Sequence, residues 1–379
     1  MREIYLDNNA TTRIDEEVMN AMLPYLQSEF GNPSSLYSMG TKVKEAVEKA
    51  RKNVADLIGA KSSEIIFTSC ASESNVTAIM NAIRGNEEKK HIITTKVEHA
   101  SIIETMHYLE GKGYDVTYLS VDEKGNINLD ELKSSIKDDT VLIAVMMANN
   151  EIGNIYPVEE IGKIAKEHNI LFHVDAVQAV GKIKIDVEKI NCDTLAISAH
   201  KIHGPKGIGV LYVRDGISFT PLIFGHQENN RRGGTENTAY IVGLGVAAKR
   251  LMEHMDESNT RIEELRDKLE DEIISNLDGV LIYGDKNNRM PNTSSMAFLG
   301  VDANELMFML EGFNIYVSTG SACNSREAEP SHVLKAMKAD LEKYSPIRVS
   351  LSEYTTEEEC DEFVKKVINI VTMLRHKNK

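Results

Sequence analysis

Between residues 64 and 213 the chain alternates short apolar, β-rich runs with stretches whose apolar positions recur at helical spacing. Residues 64–68, 91–95, 115–119, 141–147, 170–174, 194–198 and 209–213 read as strands. Residues 74–83, 101–109, 129–136 and 158–167, lying between them, read as helices. Alternation of this kind predicts a mostly parallel sheet with helices on both faces. The run 141–147 is apolar throughout, as a central strand buried on both sides must be. A long polar helix is expected over 239–276, broken near Asp256-Glu257-Ser258-Asn259. Beyond it the pattern changes to strands at 280–283, 294–298, 315–318 and 347–351, with helices at 304–311, 332–337 and 356–374. The fold class expected is therefore α/β: a large domain over residues 15–255 and a smaller α+β domain over 256–379, joined by the N-terminal segment 1–14.

Composition narrows the function. The 379 residues carry 43 Lys and Arg against 58 Asp and Glu, a net charge of −15. A surface that acidic repels phosphate backbones and anionic lipid, so neither nucleic acid nor membrane is an expected partner. No apolar run approaches the roughly 20 residues of a membrane span, and the N-terminus lacks an apolar signal core. The cytoplasm is the expected compartment. Cys70, Cys192, Cys323 and Cys360 lie far apart, which argues against a disulfide framework. No cysteine pair or histidine cluster has ligand spacing, so no metal site is expected.

Ligands of parallel α/β sheets gather where strands end and helices begin, and four such ends carry polar residues. Thr68-Ser69-Cys70-Ala71-Ser72-Glu73-Ser74-Asn75 turns from strand to helix. Its small residues let backbone N–H groups approach an anion, although an ordinary cap at Ser72 or Ser74 would look the same. Asp175 closes an apolar strand in Phe172-His173-Val174-Asp175. There it needs a partner: a protonated heterocycle, an Arg or a helix N-terminus. Lys201 follows the strand 194–198 in Ser198-Ala199-His200-Lys201. A desolvated lysine is a usable amine nucleophile, whereas most lysines simply sit in surface turns. His99 follows Glu98 directly after a strand, a place more often structural than catalytic. Together a phosphate cradle, a strand-end acid, a lysine and an imidazole are the equipment for pyridoxal 5'-phosphate.

The chain resembles the cysteine desulfurases of the NifS/IscS type, in the class V aminotransferase group of fold type I pyridoxal-phosphate enzymes. The segments that carry the likeness include Tyr5-Leu6-Asp7-Asn8-Asn9-Ala10-Thr11-Thr12, Ala71-Ser72-Glu73-Ser74-Asn75, Asn149-Asn150-Glu151-Ile152-Gly153, His173 to Gln178 and Ser198 to Gly207. Arg231 to Asn237, Ser318-Thr319-Gly320-Ser321-Ala322-Cys323 and Ile347-Arg348-Val349-Ser350-Leu351 complete the set. The stretch around Gln227, Glu228 and Arg231 to Asn237 looks closer to NifS than to IscS.

The resemblance implies that Lys201 carries the cofactor as a Schiff base, that Asp175 pairs with the ring nitrogen and that His99 stacks on the ring and moves protons. It implies that Asn150 and Gln178 address the ring substituents, and that Ala71, Ser72, Ser198 and His200 hold the phosphate. Thr235 would reach the phosphate of a second subunit, making a homodimer. Arg348, with Asn150 beside it, would bind the carboxylate of L-cysteine. Cys323 would take the sulfur as a persulfide, leaving L-alanine, and pass it to a sulfur-acceptor protein such as an iron–sulfur scaffold or sulfur carrier. Two positions depart from the family: Cys70 stands where Gly is usual, and Ser72 where Thr is usual. Cys192 and Cys360 match nothing functional and read as filler. A selenocysteine lyase or an aminotransferase is the alternative enzyme, and a silent binding scaffold the alternative of another class. Cys323 counts against an aminotransferase, and Lys201, Asp175, His99, Arg348 and Cys323 together count against a scaffold.

Overall fold

Twelve strands run along the chain of the computed structural model, which describes residues 3–86, 88–320 and 331–377. They are β1 (Ile4–Tyr5), β2 (Ile65–Thr68), β3 (His91–Thr95), β4 (Asp115–Leu119), β5 (Thr140–Met146) and β6 (Leu171–Asp175). Then come β7 (Thr194–Ser198), β8 (Gly209–Val213), β9 (Val280–Tyr283), β10 (Thr293–Leu299), β11 (Ile315–Tyr316) and β12 (Tyr344–Ser350). Seven form one sheet in the order β2-β8-β7-β6-β5-β3-β4. Only β8 runs against its neighbours, so the sheet is mostly parallel. β5 is buried at every residue and lies between β6 and β3, which fits its apolar sequence from Val141 onward.

Helices cover the sheet. The amphipathic helix Val158–Glu167 buries Val158, Ile161, Ile164 and Ala165 on one stripe. Two helices that the sequence pattern did not reveal, Glu16–Gln27 and Ser38–Ile58, pack on the helix Thr238–Asn276. Asp15 caps the first by accepting from the N–H groups of Glu17 and Val18. Ser38–Ile58 ends at Gly59, whose φ of 70° suits a residue without Cβ. At its crossing with the long helix, a Cβ on Gly245 would lie 2.5 Å from Ala50, so glycine permits the contact.

The helix Thr238–Asn276 is continuous over 39 residues, where a break was expected near Asp256. It holds no Gly or Pro beyond Gly245, and the polar residues of that stretch have only modestly lowered helix propensity and do not break a helix. They face solvent or bind the large sheet's loops: Lys184 pairs with Asp256 at 2.8 Å, and Asn259 donates to the Lys182 carbonyl at 2.8 Å. One apolar core, around the seven-stranded sheet, uses this helix up to Ala248 and Leu251. A second uses it from Ile262 onward, with Ile4, Leu6, β10, β12 and the C-terminal helix Glu357–Lys377. The smaller unit has an antiparallel sheet, order β12-β10-β9, and a short parallel pair, β1-β11. The expected strand at 315–318 shrinks to two residues, because Ser318 instead bridges to Arg348.

Candidate active site

The parallel strands deliver their polar termini to one edge of the sheet. β6 ends at Asp175, β7 ends at Ser198 and turns through Ala199–Lys201, and β2 leads into the helix Ala71–Arg84. With the N-terminal segment and β12 they line a cavity of about 210 Å³, far larger than one or two waters need. Its walls include Ala71, Ser72, His99, Asn150, Asp175, Gln178, Ser198, His200, Lys201 and Arg348. These ten residues come from separate parts of the sequence and are the cofactor and substrate residues named above, apart from Thr235.

Asp175 is buried, and its carboxylate accepts from the Val177 N–H at 3.0 Å and from Asn75 Nδ2 at 2.8 Å. No lysine or arginine pairs with it among the described residues. Asn75 settles a proton. Its amide nitrogen must face the acceptor Asp175, so its oxygen faces His173 Nε2, 2.9 Å away, and that nitrogen donates. His173 Nδ1 then accepts from the Thr194 hydroxyl at 2.9 Å. Burial pushes the His173 pKa down to about 4, so the ring is neutral at pH 7. The Asp175 carboxylate thus stands at an apolar strand end held by two neutral donors, with no Lys or Arg paired to it among the described residues.

Lys201 points its ammonium at the carbonyls of Asn9 and Ala10, the latter at 2.8 Å. The N-terminal segment is held over this turn because Thr12 donates through both its N–H and its hydroxyl to the His200 carbonyl at 3.0 Å. A second amine lies behind: Lys182 Nζ donates to the Lys201 carbonyl at 3.4 Å. Its pKa falls to about 7 through burial and the Lys201 charge. His200 is likewise held neutral, its pKa near 4, by burial and by Lys201.

The helix Ala71–Arg84 starts with no side-chain cap, and its N-terminus opens on the cavity. Ser72 and Ser74 lie inside the helix rather than at its cap, so the ordinary-cap reading of this segment fails. Uncapped N–H groups and the helix dipole favour an anion there. Cys70 is extended, with φ −172°, a conformation any residue adopts, so a Cβ is accommodated where Gly is usual in the family. The close approach is made instead by Gly209, where a Cβ would lie 2.6 Å from the Cys70 carbonyl carbon.

His99 Nδ1 accepts the Ser101 N–H at 3.1 Å, which orients the ring. Glu98 beside it is fully buried, taking the Thr95 hydroxyl at 2.7 Å and the Met146 N–H, and burial pushes its pKa up to about 8. Arg348 is 2 % exposed. Its Nη1 donates to the Asn150 carbonyl at 3.0 Å, and its Nη2 lies 2.6 Å from Asp7. Among the described residues its Nε is buried with no partner. Gln178 Nε2 donates to the Asn9 carbonyl at 3.0 Å, and its Oε1 is likewise buried and unpartnered. Orphaned polar atoms in a roomy cavity mark places that a bound molecule satisfies. The donors, the anion-seeking helix end and the uncompensated Asp175 fit a phosphorylated, protonated heterocycle bearing an aldehyde.

Thr235 is exposed and stands outside this cavity. Cys323 lies outside the described residues. Cys192 and Cys360 are buried, and burial raises both thiols, that of Cys360 to about 12. Asp7, Asn9, Ala10, Asn75 and Ser101 belong to the site or its support and had no role assigned from the sequence. Asp7, Asn9, Ala10 and Asn75 do lie inside the motifs that carry the resemblance, which was the available signal.

Residues 4–363 match the family model for aminotransferase class-V. The chain is 47% identical to the cysteine desulfurase NifS of Azotobacter vinelandii, covering 99% of this chain and 94% of that one. It is 46% identical to the cysteine desulfurase IscS of Dictyoglomus turgidum, over 99% and 96%. Identities this close do not separate the two types. A solved structure described as a NifS-like protein superposes with a TM-score of 0.92 at 41% identity, covering 98% of this chain and all of that one. SspA, solved in complex with cysteine, superposes with a TM-score of 0.81 at 38% identity, over 94% of this chain and all of that one. Sequence and architecture agree along nearly the whole chain, which belongs to the class-V aminotransferase family, among the cysteine desulfurases of the NifS and IscS type.

Proposed function

We propose that this protein is a pyridoxal-phosphate-dependent cysteine desulfurase, converting L-cysteine to L-alanine and leaving the sulfur as a persulfide on Cys323. The observation that carries the reading is the convergence of Lys201, Asp175, His99 and Arg348 on one cavity beside an uncapped helix N-terminus. Pyridoxal phosphate, when bound, supplies an electron sink for negative charge at the substrate Cα.

This chain's residues do the rest. Lys201 would hold the cofactor through its amine, and as a free amine it would be the general base that takes the substrate Cα proton. Asp175 keeps the ring nitrogen protonated, and the neutral Asn75–His173 pair beneath holds that carboxylate in place. His99 stacks on the ring and moves protons. The N–H groups at Ala71, with Ser72, Ser198 and His200, hold the phosphate. Asn150 and Gln178 address the ring substituents, Gln178 with an amide that has bonding capacity to spare. Arg348 binds the substrate carboxylate with the edge bearing its free Nε–H. The Cys323 thiolate attacks the substrate sulfur: the carbon–sulfur bond breaks with its electron pair going to carbon, a sulfur–sulfur bond forms, Cβ gains a proton, and Cα regains the proton it had given to Lys201, so that the carbon product is alanine.

Three assignments follow from the same reading. Thr235 completes the phosphate site of a second copy, as a homodimer. The exposed Phe30, Leu36 and Phe224 support that state, being apolar surface in need of cover. The division into a cofactor-binding domain (15–255) and a small domain (256–379 with 1–14) is supported by the two apolar cores that share one helix. The persulfide goes to an acceptor protein, such as an iron–sulfur scaffold, in the cytoplasm. No helix among the described residues is long and apolar enough to cross a membrane.

Borohydride reduction of the purified yellow protein, followed by peptide mapping, tests the cofactor assignment. The pyridoxyl group is expected on Lys201. Lys182 is the informative competitor, since it is the neighbouring amine with a lowered pKa. A label there would overturn the assignment.

A further inference from the structure

The guanidinium assigned above to the substrate carboxylate already holds a carboxylate of its own chain. Arg348 Nη2 lies 2.6 Å from Asp7 Oδ1. Asp7 is not free to leave. Ser350 N–H donates to the Leu6 carbonyl at 2.7 Å, and Asn8 N–H donates to the Ser350 carbonyl at 3.2 Å. The Asp7 carbonyl accepts from the Tyr5 hydroxyl and the Ala10 N–H, both at 3.0 Å. Residue 7 is thus fastened to β12 two positions from Arg348, on the same strand that carries the guanidinium.

This arrangement divides the guanidinium. Nη1 is taken by the Asn150 carbonyl and one side of Nη2 by Asp7. What remains without a partner among the described residues is Nε–H, on the edge it shares with Nη2, the edge with which an Arg grips a carboxylate through two parallel bonds. Among the described residues Nε is buried without a partner, and Arg348 lines the cavity. An incoming carboxylate therefore joins Asp7 on one cation instead of replacing it, and the two like charges oppose each other.

We propose that Asp7 is a positioning residue that turns one edge of Arg348 toward the cavity and, as a permanent counter-ion, weakens the grip on α-amino-acid carboxylates so that substrate and product exchange. The inference rests on the reading of Arg348 as the carboxylate site. Asp7→Asn keeps an oxygen to accept from Nη2 but removes the charge, so orientation survives and the opposition disappears.

The test uses holoenzyme and three probes. The first is 3-mercaptopropionate, with carboxylate and thiol but no amine. The second is cysteamine, with amine and thiol but no carboxylate. The third is L-alanine, which bears the product's carboxylate. Calorimetry and spectral titration should show Asp7→Asn binding 3-mercaptopropionate and alanine on the order of tenfold tighter, one unit of like-charge opposition removed. Cysteamine affinity should stay within about twofold, which a merely structural defect would not single out. Unchanged or weaker carboxylate binding by a folded Asp7→Asn protein overturns the proposal. Asp7→Ser carries the same expectation if the Asn variant does not fold, and failure of both to fold overturns it too, making Asp7 a folding residue. Arg348→Gln separates the two readings. If it leaves 3-mercaptopropionate binding unchanged, the Arg348 assignment fails and Asp7 falls with it. If it weakens binding while Asp7→Asn changes nothing, only the Asp7 inference fails.

Discussion

Asn75→Ala removes a side chain that is 1 % exposed and ties Asp175 to His173. The Asp175 carboxylate loses a charge-assisted bond, a loss of about 1.5–3 kcal/mol. His173, fully buried, is left with an N–H that has no acceptor, at a cost of about 1–3 kcal/mol. The two together predict a loss of about 2.5–6 kcal/mol, a large fraction of ordinary protein stability. Urea unfolding of cofactor-free protein, followed by far-UV circular dichroism at pH 7, reads this as a midpoint lowered by roughly 1–2 M. Asn75→Asp gives the signed control. It sets a second carboxylate 2.8 Å from Asp175, so its pKa is raised and its destabilisation is relieved as pH falls and it takes a proton. Wild-type stability in Asn75→Ala, or an Asn75→Asp deficit that grows toward pH 5, would refute the bridge and the His173 tautomer deduced from it.

Two further outcomes are expected. The folded His173 has a pKa near 4 against about 6.5 when unfolded, so the unfolded chain takes the proton first as pH falls. Its contribution is nil above pH 6.5 and turns destabilising below it, by about 2 kcal/mol at pH 5. Urea midpoints at pH 7 and 5 should therefore converge in His173→Gln relative to wild type, and parallel slopes would contradict the burial argument. Cys70 is half-buried and extended at the cavity wall, with no strain to relieve, so Cys70→Ala should keep near-normal alanine production. A persulfide mapped to Cys70 with Cys323 unmodified would reverse the two roles.

The parallel strands were legible in the sequence as short β-rich runs separated by stretches of helical spacing, and β6 and β7 also by the polar residues Asp175 and Ser198 that close them. Strands β3, β4, β7, β8 and β9 have the bounds expected from sequence. The helix Ser38–Ile58 was not, because its buried stripe mixes Gly40, Ala50 and Arg51 with Val43, Val47 and Val54. Arg51 is tolerated there because, besides Glu48 on its own helix, the buried Glu228, 177 residues later, meets it at 2.6 Å, a pairing that local pattern cannot show. The site divides in the same way. Lys201 and Asp175 stand at strand ends, where chemistry is looked for. Asn75 looks like any polar residue in a first helical turn, and Asp7 like any acid near a terminus. Each acquires its meaning from a partner brought by the fold across 100 and 341 positions respectively.

The central claim is that sulfur leaves cysteine onto Cys323, and mass spectrometry of that peptide tests it most directly. Ser has nearly the shape of Cys, but its hydroxyl stays protonated at neutral pH and is a poor nucleophile toward sulfur. Wild-type protein given L-cysteine without reductant should carry one extra sulfur on the tryptic peptide containing Cys323. Cys323→Ser should fold, stay yellow and make neither alanine nor sulfide. Wild-type turnover by Cys323→Ser, with no sulfur added to the Cys323 peptide of the parent protein, would contradict the account.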